Sequence, residues 1–343
     1  MTNLDLDKVE QNLVLMRLEK YTTDSMDKIP KSIEASDFRK EGVVTSLGSV
    51  ALHLLMSSPA DEYQTKIMDI LGMLHKSLHT PPEDVQHLSA QYLSKLVSKM
   101  KNKEMYQPRI DQLIHKTLQD SLDTNSSLAV RRGGAYGFAA LIKGMGISAL
   151  KKYSMVPQLD EALISPASSS AAKEGALFCI ELLSRNLKLL FEPYVITLLP
   201  ALLQCFGDAN DHVRNAANQS TSTIMSQLSA HGIKLVMPSV LSGLQGKDDN
   251  DTTSSWRTKV ACIRMLGSMS HCAPKQLASC LPKAVPKLID SFSDTHPKVK
   301  NASFQALEEL TTIVRNPEIK QISSTLLNER KFRFLRSISR IPR

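Results

Sequence analysis

Aromatic residues make up only 5% of this 343-residue chain, and Trp256 is its single tryptophan. Strands favour aromatic and β-branched side chains, so a chain poor in aromatics and rich in Leu, Ala, Ser and Met is expected to be all-α. Cysteine is scarce too. The five residues (Cys179, Cys205, Cys262, Cys272, Cys280) are odd in number and include no CxxC pair, which excludes a disulfide framework and leaves reduced, buried thiols as the expectation. His271 and Cys272 adjoin, but Cys280 is too distant to complete a metal site, so no metal is expected. The longest apolar run, Val195 to Phe206, is broken by Pro200 and is too short to span a bilayer. The start, MTNLDLDKVEQNL, lacks the basic and apolar regions of a signal peptide. These absences together predict a cytoplasmic protein with no membrane partner.

Catalytic motifs are missing as well. No G-x-x-x-x-G-K-[ST] occurs, and the nearest stretch, KGMGISALKK (143–152), has neither the glycine spacing nor the Lys-Ser/Thr end that holds a triphosphate and its magnesium. There is no G-x-S-x-G elbow and no H-E-x-x-H, and the nine histidines are mostly single residues. Asp248, Asp249, Asn250 and Asp251 lack the alternating spacing and terminal Glu of an EF-hand, so residues 246–254 read as a polar surface insertion. No catalytic residue and no cofactor are therefore expected. The net charge of +8 is not evidence of a basic body, since Arg330, Lys331, Arg333, Arg336, Arg340 and Arg343 against Glu329 place +5 of it in the last fifteen residues. A DNA partner is not indicated.

What the chain does contain is a period. A basic or polar residue, followed by small residues and an apolar helix-like stretch, recurs at Arg39, Gln86, Arg131, Lys173, Arg214, Arg257 and Lys300, in steps of 47, 45, 42, 41, 43 and 43 residues. About 40–47 residues is the length of a HEAT or armadillo unit, a pair of antiparallel helices that cannot bury its apolar face alone. The expected fold is a right-handed α-solenoid of about seven such hairpins over residues 37–326. Before it stands an N-terminal helical segment (1–36) that begins the first repeat, and after it a divergent basic tail (327–343).

Gly42, Gly134, Ala176, Ala217, Ala261 and Ala302 occupy matching places where neighbouring backbones should approach closely. First helices are expected over Glu192–Phe206, Gly232–Leu244 and Leu281–Phe292. Asp208 lies six residues before Arg214, and Asp294 six before Lys300. Because these pairs repeat with the period, a structural ladder between repeats is preferred to partner-binding roles for Arg214 and Lys300. Arg131, Arg132, Lys143, Lys151 and Lys152, with Arg257 and Lys259, are the candidate contacts for an RNA phosphate backbone or for proteins bound to it. The tail interleaves its cations with Phe332 and Phe334 and is a further candidate.

Several segments go beyond generic repeat character: VRRGGAYGFAALIKGMGI (130–147), EGALFCIELLSRNLKLLFEPYV (174–195), SWRTKVACIRMLGSMSHCAPKQLASCLPKAVPKL (255–288) and IVRNPEI (313–319). The chain here resembles the middle of the very large translational activators of general amino-acid control, ribosome-bound HEAT proteins that activate the kinase of initiation factor two's alpha subunit. That portion in turn resembles the HEAT region of fungal elongation factor three, without its ATPase cassettes. The resemblance implies a non-catalytic cytoplasmic scaffold whose partners are rRNA or ribosomal proteins. A kinase or co-activator would be reached through family segments outside this chain. NERKFRFLRSISRIPR (328–343) departs from the family pattern, which suggests a truncated or alternatively spliced product. The alternative is a karyopherin-like or phosphatase-scaffold solenoid that binds proteins or peptides. A remnant ATPase is disfavoured by the missing phosphate-binding loop.

Overall fold

The structure, a computed structural model, describes residues 35–57, 63–245, 252–272 and 274–314. Most of the expected N-terminal segment, most of the polar insertion and the whole basic tail lie outside those residues. Every regular element among the described residues is helical. The chain divides into two compact units, Met1–Met155 and Val156–Arg343, and each is a run of stacked helical hairpins, so the all-α solenoid is the observed fold class.

In the first unit α1 (Ala35–Ser57) is followed by α2 (Gln64–Ser77), α3 (Glu83–Met100), α4 (Gln107–Leu122), α5 (Leu128–Met145) and the short α6 (Ser148–Lys152). Helices α1, α3 and α5 pack side by side as second helices of successive repeats, with α2 and α4 as the first helices. The second unit repeats the scheme. Its first helices are α7 (Met155–Ile164), α9 (Glu192–Cys205), α11 (Ala230–Gln245) and α13 (Pro274–Asp290), and its second helices are α8 (Ser170–Leu187), α10 (Asp211–Gln227), α12 (Thr252–Cys272) and α14 (Pro297–Val314). Residues 252–254, read in sequence as insertion, are the first turn of α12.

The aligned position of the sequence repeat has a simple structural meaning. Gln86, Arg131, Lys173, Arg214 and Lys300 are each the fourth residue of a second helix. Ahead of three of these positions stands a side-chain cap: Ser127 accepts a hydrogen bond from the Val130 amide, Ser169 from Ala172, and Asn210 from His212. Each cap satisfies one of the amides that a helix start leaves without a partner. Helix-to-helix hydrogen bonds then recur one repeat apart, as in Gln86 Nε2 to the Ala129 carbonyl (2.8 Å) and Ser220 Oγ to the Leu177 carbonyl (2.9 Å). Contacts confined to the next repeat are what make a solenoid quasi-one-dimensional.

Small residues do not all serve the same purpose. A β-carbon on Gly134 would stand 2.8 Å from the Thr117 carbonyl oxygen and 2.8 Å from the Ser121 amide, so α5 lies almost backbone to backbone on α4. Ala176, Ala217, Ala261 and Ala302 are buried in the equivalent seams. Gly42 differs, because nothing lies within 4 Å of the place its β-carbon would take, and close packing is not its role. Helix α13 also departs from expectation by starting at Pro274 rather than near Leu281. It runs on through Pro282 and Pro286 because Leu277, Leu281, Ala284, Val285 and Leu288 form one continuous buried stripe.

The Ser170–Cys205 stretch matches a membrane span in length and apolarity. It is, however, two α-helices joined by a 3₁₀ turn, Lys188–Phe191, and Lys188 has a φ of 51°. Cys179, Cys205 and Cys262 are buried free thiols, and burial pushes Cys205 up to about 11 and Cys262 to about 12. The side chain of Cys272 is outside the described residues.

Candidate functional site: a basic groove walled by tryptophan

Two turns in the second unit are built alike. Asp208 Oδ1 accepts the Asn210 amide hydrogen bond (2.9 Å), and Asp294 Oδ1 accepts that of His296 (2.8 Å). The other carboxylate oxygen of each takes a lysine from the preceding second helix, Lys173 for Asp208 and Lys259 for Asp294, both at 2.9 Å. The basic partner therefore lies 35 residues earlier, not six later as the sequence spacing suggested. Arg214 instead closes its own turn, donating to the carbonyls of Asp208 (2.5 Å) and Ala209 (2.8 Å) and pairing with Asp211. Lys300 is half-buried and its backbone amide bonds the His296 carbonyl. The ladder thus runs Lys173–Asp208 and Lys259–Asp294, and Lys259 is part of it rather than an open contact.

Burial raises both aspartates, but the backbone amide and lysine hydrogen bonds outweigh it and hold each carboxyl below its ordinary value of 3.8. A lowered folded value means stability that is present above 3.8 and lost as pH falls through the folded value. Asp208→Asn is accordingly expected to lower the urea midpoint at pH 7, with the gap to the parent closing as the pH drops below 3.8; a gap unchanged at acid pH would contradict the ladder.

The same turns shape a groove of about 430 Å³ across the second helices. Helix α10 contributes Arg214 and Asn218, α12 contributes Trp256, Arg257 and Arg264, and Lys298 comes from the first turn of α14. No carboxylate is among the residues that line it. The Trp256 ring stacks on His296 at 4.0 Å with 4° between planes, and both Arg257 Cζ and Lys298 Nζ lie 5.0 Å from its centre. Cations beside a half-buried indole suit a phosphate with an attached planar base, or an acidic side chain.

The other predicted contacts do not converge. Arg131 bonds the Ser126 carbonyl (2.5 Å), while Arg132 pairs with Glu83 (3.0 Å) and reaches Gln86 (3.4 Å) across the repeat junction. Lys143 is exposed twelve residues along α5, about 18 Å from Arg131 at the helical rise. Lys151 is exposed on α6, and Lys152 stands 3.5 Å from Asp111 and 2.7 Å from the Tyr153 hydroxyl. Of the expected contact residues only Arg257 lines the groove, and Arg214 joins it from the ladder set. Trp256, Arg264 and Lys298 are site residues that the sequence pattern did not single out. The i, i+4, i+8 spacing of Trp256, Val260 and Arg264 on one helix face was the available signal.

Comparison with known proteins bears on the same region. The chain is similar to the human protein named stalled ribosome sensor GCN1, at 42% identity over 292 residues that make up 85% of this chain and 10% of that protein. It is 41% identical over 300 residues to the Arabidopsis thaliana protein ILITYHIA, covering 86% and 10%. The Dictyostelium discoideum eIF-2-alpha kinase activator GCN1 shares 39% over 284 residues, covering 83% and 10%. The chain thus spans about a tenth of the length of these relatives. A family model described as the EF3 N-terminal HEAT repeat matches residues 131–307, a stretch that runs from the first turn of α5 into α14 and contains both ladder turns and the whole groove. The chain belongs to this EF3 N-terminal HEAT-repeat family.

Proposed function

We propose that the chain is a non-catalytic, cytoplasmic ribosome-binding scaffold of the translational-activator type, and that the α10–α12–α14 groove is its contact with ribosomal RNA. The observation that carries this reading is the groove lining of Arg257, Arg264 and Lys298 around Trp256, with Arg214 held by Asp211 at its edge, inside the stretch matched by the elongation-factor repeat family. Cations gathered from three helices meet phosphates, and releasing condensed counterions drives the association. The indole adds a sequence-tolerant surface for a base.

In this reading the solenoid senses and relays by position. It holds a ribosomal surface while other parts of a larger assembly promote phosphorylation of initiation factor two alpha by its kinase, as the name of the Dictyostelium relative suggests. The repeats supply a binding surface and no chemistry. Ribosome co-sedimentation of the full chain at rising salt tests the proposal. Log affinity is expected to fall with log salt at a slope of about −3, as three to four neutralised phosphates require. Salt-insensitive binding would assign the contact to apolar protein surfaces and favour the protein-binding scaffold instead.

A further inference from the structure

The first unit brings together three side chains that neither the repeat period nor the groove uses. His75 lies in the last turn of α2, His79 in the turn that follows it, and Asp120 in the last turn of α4, one repeat later. One nitrogen of each histidine and one Asp120 carboxylate oxygen lie within 4.8 Å of one another. His75 Nε2 is 3.1 Å and His79 Nε2 3.0 Å from the same Asp120 oxygen. The two rings stand edge to face with centres 5.0 Å apart.

One carboxylate oxygen serves two imidazoles unequally. His79 makes the directed hydrogen bond, whereas the buried His75 Nε2 stands 3.1 Å from the same oxygen out of line for a well-formed one. Buried polar atoms ordinarily have partners, so an interior ring nitrogen aimed at a shared oxygen is a feature that needs an account. A divalent ion gives one. Zinc binds imidazole nitrogen and carboxylate oxygen at about 2.0–2.1 Å, and tetrahedral angles then set donor-to-donor edges of about 3.3 Å. The two nitrogen-to-oxygen edges, 3.1 and 3.0 Å, are a few tenths of an ångström shorter, so a small outward shift of the His79 ring, whose side chain is 32% exposed, makes the space. That exposed side is also the entry path and the place for a fourth ligand, a water.

We propose that His75, His79 and Asp120 form a zinc site that staples the second repeat to the third. Two nitrogens and one oxygen, without thiolate, suit zinc over calcium or magnesium, which prefer all-oxygen shells. Bound there, the ion ties the end of α2 to the end of α4 more tightly than the His79–Asp120 hydrogen bond does alone. The expectation of no metal took His75 and His79 as single histidines, because the proposed ligands are spread over 46 residues of sequence.

The test is equilibrium dialysis of the full chain against micromolar zinc, and titration with cobalt as a spectroscopic stand-in. One equivalent is expected to stay bound. Cobalt should show visible bands of a four-coordinate nitrogen and oxygen site without near-ultraviolet thiolate charge transfer. His79→Gln and Asp120→Asn should each weaken binding by more than about tenfold. Circular dichroism of both metal-free variants separates ligand loss from unfolding, and His79→Gln, at a part-exposed turn, is the variant expected to keep the parent spectrum. No retained zinc, a thiolate band, or equal affinity in a folded His79→Gln chain would each overturn the proposal.

Discussion

Gly133→Val is expected to destabilise the first unit by about 3 kcal/mol, the upper end of what forced overpacking costs. Gly133 sits early in α5, where a β-carbon would collide with the Leu78 carbonyl oxygen, stand 2.6 Å from its carbonyl carbon and lie 3.1 Å from Gln86 Nε2. Leu78 is the residue at which α2 ends and is itself fully buried, so the obstacle is backbone held by its own core packing. Gln86 cannot yield freely either, since its amide already bridges to the Ala129 carbonyl. The matched control is Gly42→Ala. Open space surrounds that position, and replacing glycine inside a helix gains up to about 1 kcal/mol. Thermal unfolding followed by far-ultraviolet circular dichroism should show Gly133→Val melting about 10 °C lower and Gly42→Ala unchanged or higher. Equal melting of the two variants would mean that α5 does not lie on the end of α2.

The second large effect concerns binding. Arg264→Glu combined with Lys298→Glu is expected to weaken ribosome association on the order of a hundredfold at about 0.1 M salt. Each phosphate left without its cation removes a factor of roughly eight there, and reversing the charge adds repulsion. Both side chains are exposed, and a glutamate near the start of α14 is favoured by the helix dipole, so the fold should tolerate the change. Lys143→Glu with Lys151→Glu in the first unit serves as the comparison, because those lysines are exposed and lie on separate helices. A large loss from the first-unit pair and none from the groove pair would move the ribosome contact to the first unit.

The period was legible because it reflects a geometric necessity. Five of the seven aligned positions fall on the fourth residue of a second helix, in the first turn that meets the previous repeat. Arg257 is the sixth residue of its helix because the polar stretch before it extends α12 by half a turn. The ladder was legible only in part. Asp208 and Asp294 stand out by their spacing, but sequence displays the basic residue six places on and hides the lysine that reaches forward from 35 places before.

Charge density along the chain misleads in the same way. Arg131 and Arg132 adjoin in sequence, yet they are engaged by Ser126 and by Glu83 of the neighbouring repeat. The groove instead assembles cations from three helices, roughly one repeat apart, that no local window contains. The histidine and aspartate cluster is illegible for the same reason, with Asp120 standing 41 residues beyond His79.

If the repeats themselves hold the ribosome through an electrostatic groove, the basic tail is dispensable for binding. A salt series of ribosome co-sedimentation on the intact chain, and on a chain ending at Gln321, decides this, because the truncation removes the tail and leaves every groove residue. The same steep fall of log affinity with log salt is expected in both forms, at a slope of about −3. Loss of binding with the tail, or binding indifferent to salt, would contradict a groove-borne contact.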